Sequence, residues 1–142
     1  IAPDTGTASA VMTSPDGMTW TMRTTPGANH EWAKIIWVRE LSKFIAVDYS
    51  NSSTTTVRAM TSLDGITWTE STTPALGRWW RDVVWSPKLK LLVAVSNGGN
   101  SGDGIMTSSD GIKWTSRSHS LGGTSFPCVT WSQDLGIFVI QN

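Results

Sequence analysis

Ser62-Leu63-Asp64-Gly65-Ile66-Thr67-Trp68 is the stretch whose reading decides the fold, because it has two further copies. Ser14-Pro15-Asp16-Gly17-Met18-Thr19-Trp20 precedes it and Ser108-Ser109-Asp110-Gly111-Ile112-Lys113-Trp114 follows, each led by a Met-Thr pair at Met12, Met60 or Met106. Asp-Gly between strand-forming residues is the strongest short-range hairpin signal. Glycine supplies the positive φ of a tight turn, and the aspartate accepts hydrogen bonds from the turn's own amides. The serine two residues earlier can bond the same turn from the other side. The tryptophan three residues after each glycine is expected to fold over the hairpin, and truncating such a buried ring to Ala costs about 3–5 kcal/mol. Three equivalent copies read as scaffold, so Asp16, Asp64 and Asp110 are expected to staple turns rather than to catalyse or bind metal.

The repeat extends beyond the box. Each closing tryptophan is followed 17 residues later by another: Trp20 by Trp37, Trp68 by Trp85, Trp114 by Trp131. A third aromatic stands five residues before that second one, at Trp32, Trp80 and Phe126, so of nine tryptophans only Trp79 lies outside the pattern. The middle unit reads as four short strands: 80–86, then 91–95 after a turn at 87–90, then 105–108, then 113–118 beyond the Asp110-Gly111 turn. The first two are continuous apolar runs of strand length, which predicts coverage on both faces. The Thr- and Ser-rich third and fourth predict a half-solvated outer position. No helical period occurs. Four-stranded repeats of this length are β-propeller blades. The predicted class is therefore all-β, with two whole blades at about 32–71 and 80–118. Residues 1–25 supply the third and fourth strands of a split blade, and residues 126–142 supply the first and second strands of another.

S-x-D-G-x-T-W resembles the Asp-box, or BNR, repeat of sialidase-like β-propellers, whose common form is S-x-D-x-G-x-T-W. All three copies here lack the residue between Asp and Gly. The resemblance covers the whole chain and implies that each box joins the third strand of a blade to the fourth.

Propellers close with roughly four to eight blades around a channel. Three blades cannot close, and split blades present unpaired strand edges. Two copies related by a two-fold axis would make six blades, each copy's C-terminal strands completing the other's N-terminal half-blade. Three copies would make nine, outside the usual range. The loop lengths agree: 23 residues separate Trp37 from Met60, and 23 would separate Trp131 from Met12 if Ile1 followed Asn142. A homodimer is thus the expected partnership. The alternative is a fragment excised from a longer Asp-box propeller, such as a sialidase-like glycoside hydrolase or a phage-tail receptor-binding protein. The start at Ile1 rather than Met is in keeping with processing or excision.

The 142 residues suit one domain, and 11 basic residues balance 11 acidic ones, which gives no pull toward nucleic acid or anionic membrane. No apolar run reaches the length of a membrane span, and no signal peptide is read. The compartment stays open, with secreted or virion-associated settings ahead of cytoplasmic. Cys128 is the sole cysteine; lying between Pro127 and Val129, it is expected to be a small buried hydrophobe. No cofactor or metal is expected.

Departures from the repeat are the residues least explained by scaffold, and they concentrate on loops at one end of the blades. Arg78, Trp79 and Arg81 stand out, since an arginine beside an exposed aromatic can stack on a sugar ring or pair with a carboxylate. Against this stands a bland reading in which Trp80 fills the core between blades and Arg81 pairs with Asp82. His30 and Glu31 could form an acid–base pair, although a solvated loop edge is the simpler account. Tyr49 and Asp48 are further rim candidates. The oxygen-rich loop 97–104 lacks the spacing and closing glutamate of an EF-hand and reads as a flexible hairpin loop. The sialidase resemblance implies an arginine triad, a tyrosine nucleophile and acidic partners. Here Arg23 and Arg117 fall on outer strands, Arg39 in a turn at the opposite end and Arg58 on a third strand, while Tyr49 is the sole tyrosine. No catalytic residue is assigned. The expected function is non-enzymatic: a self-assembling scaffold, with recognition of glycans or a protein partner at the rim.

Overall fold

The computed structural model describes residues 10–27, 29–50, 57–74, 79–98, 104–120 and 125–142. The chain is all-β, with four antiparallel sheets of two or four strands. β1 (Ala10–Thr13) pairs with β2 (Thr21–Thr24). β3 (Trp32–Val38), β4 (Lys43–Asp48), β5 (Ala59–Ser62) and β6 (Thr69–Glu70) form the first four-stranded sheet in chain order. β7 (Trp80–Ser86), β8 (Leu91–Ser96), β9 (Ile105–Ser108) and β10 (Thr115–Arg117) repeat it. β11 (Val129–Ser132) and β12 (Ile137–Ile140) form the last sheet. Among the described residues the only helical segment is a 3-10 turn, Arg39–Leu41.

The three boxes join β1 to β2, β5 to β6 and β9 to β10, and Gly17, Gly65 and Gly111 all take φ between 73° and 75°. The geometry is the same each time. In the middle copy the Ser62 hydroxyl donates to Asp64 Oδ1 (3.0 Å) and accepts from the amide of Gly65 (2.8 Å). Asp64 Oδ1 accepts from the amides of Ile66 (2.8 Å) and Thr67 (2.7 Å), and the Trp68 indole donates to the Gly65 carbonyl (3.1 Å). One carboxylate thus satisfies turn amides that have no ladder partner.

Boxes also bind neighbouring sheets together. Ser71, just past β6, donates its hydroxyl to Gly111 O (2.8 Å), and Thr72 exchanges backbone bonds with Ile112 and Trp114. Between the two four-stranded sheets lies the main core, with Val38, Ile45, Val47, Trp80, Val83 and Met106 among its residues. A second cluster joins Val11 to Met60 and Trp68, and a third joins Val93 and Val95 to Phe126 and Val129.

Three expectations need correction. The third strands of the two four-stranded sheets are not half-solvated: β5 is buried throughout and β9 in all but its first residue, because both edges of each are paired. β3 is not covered on both faces: among the described residues the sheet of β7 packs on one face, and Trp37 stands exposed. Cys128 is exposed rather than buried; it precedes β11 and its thiol faces Gln141 Oε1 at 3.3 Å.

Equivalent positions of the repeat differ sharply in burial. Met60 and Met106 are 0 % exposed, yet Met12 is 56 % exposed. Trp68 and Trp114 are 8 % and 5 % exposed, but Trp20 is 56 %. Ile45 and Val93 (0 % and 6 %) have their counterpart in Val139, at 50 %. Val83 and Val129 (2 % and 5 %) have theirs in Ile35, at 41 %. Every exposed member borders the two-stranded sheets or the open face of β3.

Candidate functional site

At one end of the first four-stranded sheet a buried ionic cluster forms under a surface cleft. Asp48, the last residue of β4, and Arg58, just before β5, are joined by Asp48 N–H to Arg58 O (3.0 Å), and both side chains are fully buried. Arg58 donates to Asp48 Oδ2 (3.0 Å) and to the carbonyl and hydroxyl oxygens of Ser50 (2.8 and 2.7 Å). Asp48 also bonds His30 Nδ1 (2.9 Å) and accepts from the Ser50 hydroxyl (2.6 Å) and the amides of Glu31 (2.8 Å) and Ser50 (2.9 Å). Burial pushes the Asp48 carboxyl up. The Ser50 hydroxyl, His30 and the two amides outweigh it, so the group is held below the ordinary carboxylate value. His30 stacks on Trp32, ring centroids 4.8 Å apart.

Among the described residues the second four-stranded sheet has no such cluster. Ser96 stands where Asp48 does and Gly104 where Arg58 does, and the Phe126 ring lies so close to Gly104 that a Cβ there would meet it at 2.8 Å. An aromatic ring from the next unit fills the space that the first sheet gives to a charged side chain. The paired signal, an acid and a base departing together at facing repeat positions, was available in the sequence. His30 is buried and bonds Asp48, so it is not a solvated loop edge.

Above this cluster Glu31, Trp32, Ala33, Tyr49 and Arg81 line a cleft of about 350 Å³. The backbone bond from Tyr49 N to Glu31 O (2.8 Å) holds its two loops together. Pairing slips between Trp80 and Asp82, which places Arg81 at a β-bulge, a device that redirects a side chain. The Arg81 guanidinium carbon lies 5.0 Å from the Tyr49 ring centre, and Trp79 meets that ring edge-on at 6.0 Å. The structure thus brings together Glu31, Tyr49, Trp79 and Arg81, with His30 beneath. Arg78 lies outside the described residues.

Trp80 is fully buried, as the bland reading expects. Arg81 and Asp82 do not pair. Asp82 faces the opposite way, toward Lys34 Nζ (3.5 Å) and the amides of Val83 (2.9 Å) and Val129 (3.0 Å). One repeat further on, the contact between Tyr49 and Trp79 is replaced by a hydrogen bond between Asn97 and Ser125. The seam between sheets is therefore a repeated contact, and aromatic only in its first occurrence. Among the described residues Arg81 and the Glu31 carboxylate form no ion pair.

The box aspartates are committed to their turns. The amides of Thr19 and Met18 and the Ser14 hydroxyl hold Asp16 at about 2. The amides of Thr67 and Ile66, with the Ser62 hydroxyl, hold Asp64 at about 2. Asp110 is raised by partial burial but lowered further by the amides of Lys113 and Ile112. Arg23 and Arg117 are likewise occupied, donating to Thr13 (3.0 Å) and Thr107 (2.8 Å) across their hairpins. Among the described residues no group of three or more His, Cys, Asp or Glu side chains is placed to hold a metal; residues 99–103 of the oxygen-rich loop lie outside them. No family model matches the chain, and no curated protein matches it.

Proposed function

We propose that the chain is a non-catalytic, Asp-box β-propeller module that closes its ring by self-association, with six blades in a homodimer. One observation carries this reading: positions buried in both four-stranded sheets are exposed where the repeat is split. Met12, Trp20 and Val139 are at least half exposed, against at most 8 % at their equivalents. Apolar surface left in water in this arrangement favours association, at roughly 25 cal/mol for each Å² covered. Among the described residues β1 and β12 each carry one unpaired edge, equivalent to the edges at which β5 pairs with β4 and β9 with β8. The mass of the 15.4 kDa chain in solution is the test. Twice that mass supports the six-bladed ring, three times supports nine blades, and a stable monomer overturns self-closure in favour of a piece of a larger propeller.

A second reading, saccharide recognition at the rim, is favoured by Glu31 and Arg81 lining one cleft beside Tyr49 and Trp79. A carboxylate accepts from sugar hydroxyls, a guanidinium donates to them, and aromatic rings pack against sugar C–H faces. Saturation-transfer NMR with neutral hexoses and N-acetylhexosamines tests it: transfer should vanish in Glu31→Ala and Arg81→Ala with assembly unchanged. Absence of transfer in the unsubstituted chain sinks it.

A further inference from the structure

The open surfaces of the chain have the shape of one of its own parts. β7 is covered by β3 and β4 on one side and by β11 on the other, whereas among the described residues β3 packs on β7 at one face and leaves Ile35 and Trp37 exposed. Near that bare face lies β1: its Val11 clusters with Ala46, Met60 and Trp68, with Trp32 of β3 packed against them, and among the described residues its outer edge is unpaired. The slot between β1 and β3 is therefore where the first two strands of a preceding four-stranded sheet belong. β11–β12 is such a pair: Trp131 packs on Phe138 at 4.6 Å, as Trp37 packs on Phe44 at 4.7 Å. Its Val139 and Ile137 are exposed, and among the described residues no third strand pairs with β12.

We propose that β11–β12 of a second copy occupies this slot, with its β12 antiparallel to β1 and Phe138 facing Ser14, Val139 Thr13, Ile140 Met12 and Gln141 Val11. The register rests on the self-closure reading and is copied from both complete sheets. Phe44 faces Ser62, Ile45 Thr61, Ala46 Met60 and Val47 Ala59; Leu92 faces Ser108, Val93 Thr107, Ala94 Met106 and Val95 Ile105. The two ladders agree at every position, and replacing each residue by its repeat equivalent in β12 and β1 gives the same four pairs. Hydrogen-bond phase follows too. Asp48 N bonds Arg58 O and Ser96 N bonds Gly104 O, so alternation makes the Met12–Ile140 pair hydrogen-bonded and Thr13–Val139 not. In this arrangement Met12, Trp20, Ile35 and Val139 all leave water together. Both copies offer the same slot and the same hairpin, so a two-fold axis satisfies both.

The test uses cysteine pairs in the 142-residue chain with Cys128→Ser. Non-hydrogen-bonded partners lie about 4.5 Å apart at Cα, inside the roughly 4.4–6.8 Å range that disulfides span. Thr13→Cys and Val139→Cys chains, refolded together and oxidised, should form a mixed disulfide. Met12→Cys with Val139→Cys, one residue out of register, should not. Amide exchange of the unsubstituted chain reads the same register without mutation: the amides of Met12 and Ile140 should be slowed by orders of magnitude in the assembled form. A dimer by mass in which these amides exchange freely, or in which the offset pair cross-links as well, overturns the register and leaves self-association standing. A monomer by mass overturns both.

Discussion

Asp48→Ala removes the carboxylate that gathers His30, Ser50, the Glu31 amide and Arg58. Arg58 is fully buried and its guanidinium then faces only the oxygens of Ser50 among the acceptors described above. Breaking a buried ion pair from one side costs about 3–5 kcal/mol, because the surviving charge stays desolvated. A loss of that size is on the order of 10 °C in Tm for a chain of this length. Urea unfolding followed by far-UV circular dichroism is the assay, since tryptophan fluorescence would mix local changes at Trp32 with global unfolding. Asp48→Ala/Arg58→Met should recover a large part of the loss, because an apolar side chain of similar length needs no counter-charge. The folded Asp48 titrates below its ordinary 3.8, so its contribution is fully present above about pH 4 and disappears as pH falls through the depressed value. The Ala variant should therefore show a flatter stability profile below pH 4 than the unsubstituted chain. A loss under about 1 kcal/mol, or single losses that simply add in the double variant, would refute the reasoning.

Further outcomes follow from the repeat. Ser62→Ala should cost about 1–3 kcal/mol in the same unfolding assay, since it strips the acceptor from the buried Gly65 amide, while Ser14→Ala in the exposed copy should cost clearly less. Gly17→Ala meets no atom within 4 Å, so only its φ of 75° resists, at about 1–2 kcal/mol. Gly111→Ala must in addition displace the Ile45 side chain and should lose more, with Ile45→Val narrowing the gap between them. Trp68→Ala should cost about 3–5 kcal/mol of chain stability. Trp20→Ala, on an exposed ring, should barely alter unfolding of the isolated chain but weaken self-association by about 2 kcal/mol, roughly thirtyfold in dissociation constant, measured by sedimentation equilibrium.

Local chemistry was readable directly. The turn bonds of Ser62, Asp64, Gly65 and Trp68 each span no more than three residues, so their spacing dictates the turn, and three copies dictate where strands start and stop. β7 and β9 run over the residues that their apolar and Thr-rich runs indicate. What the residues do across longer distances was not readable in the same way. His30 meets Asp48 over 18 residues and Arg58 meets it over 10, and only the pairing of β4 with β3 on one side and β5 on the other makes them neighbours. Arg81 and Asp82, adjacent in sequence, diverge because a bulge and strand alternation turn one to the rim and the other to the next sheet. Trp20 and Trp68 close the same S-x-D-G-x-T-W pattern with the same indole bond, yet one is exposed and the other buried. Turn geometry is settled by neighbours in the chain and is therefore written in it; burial is settled by whichever sheet comes to lie alongside, and that only the tertiary structure decides.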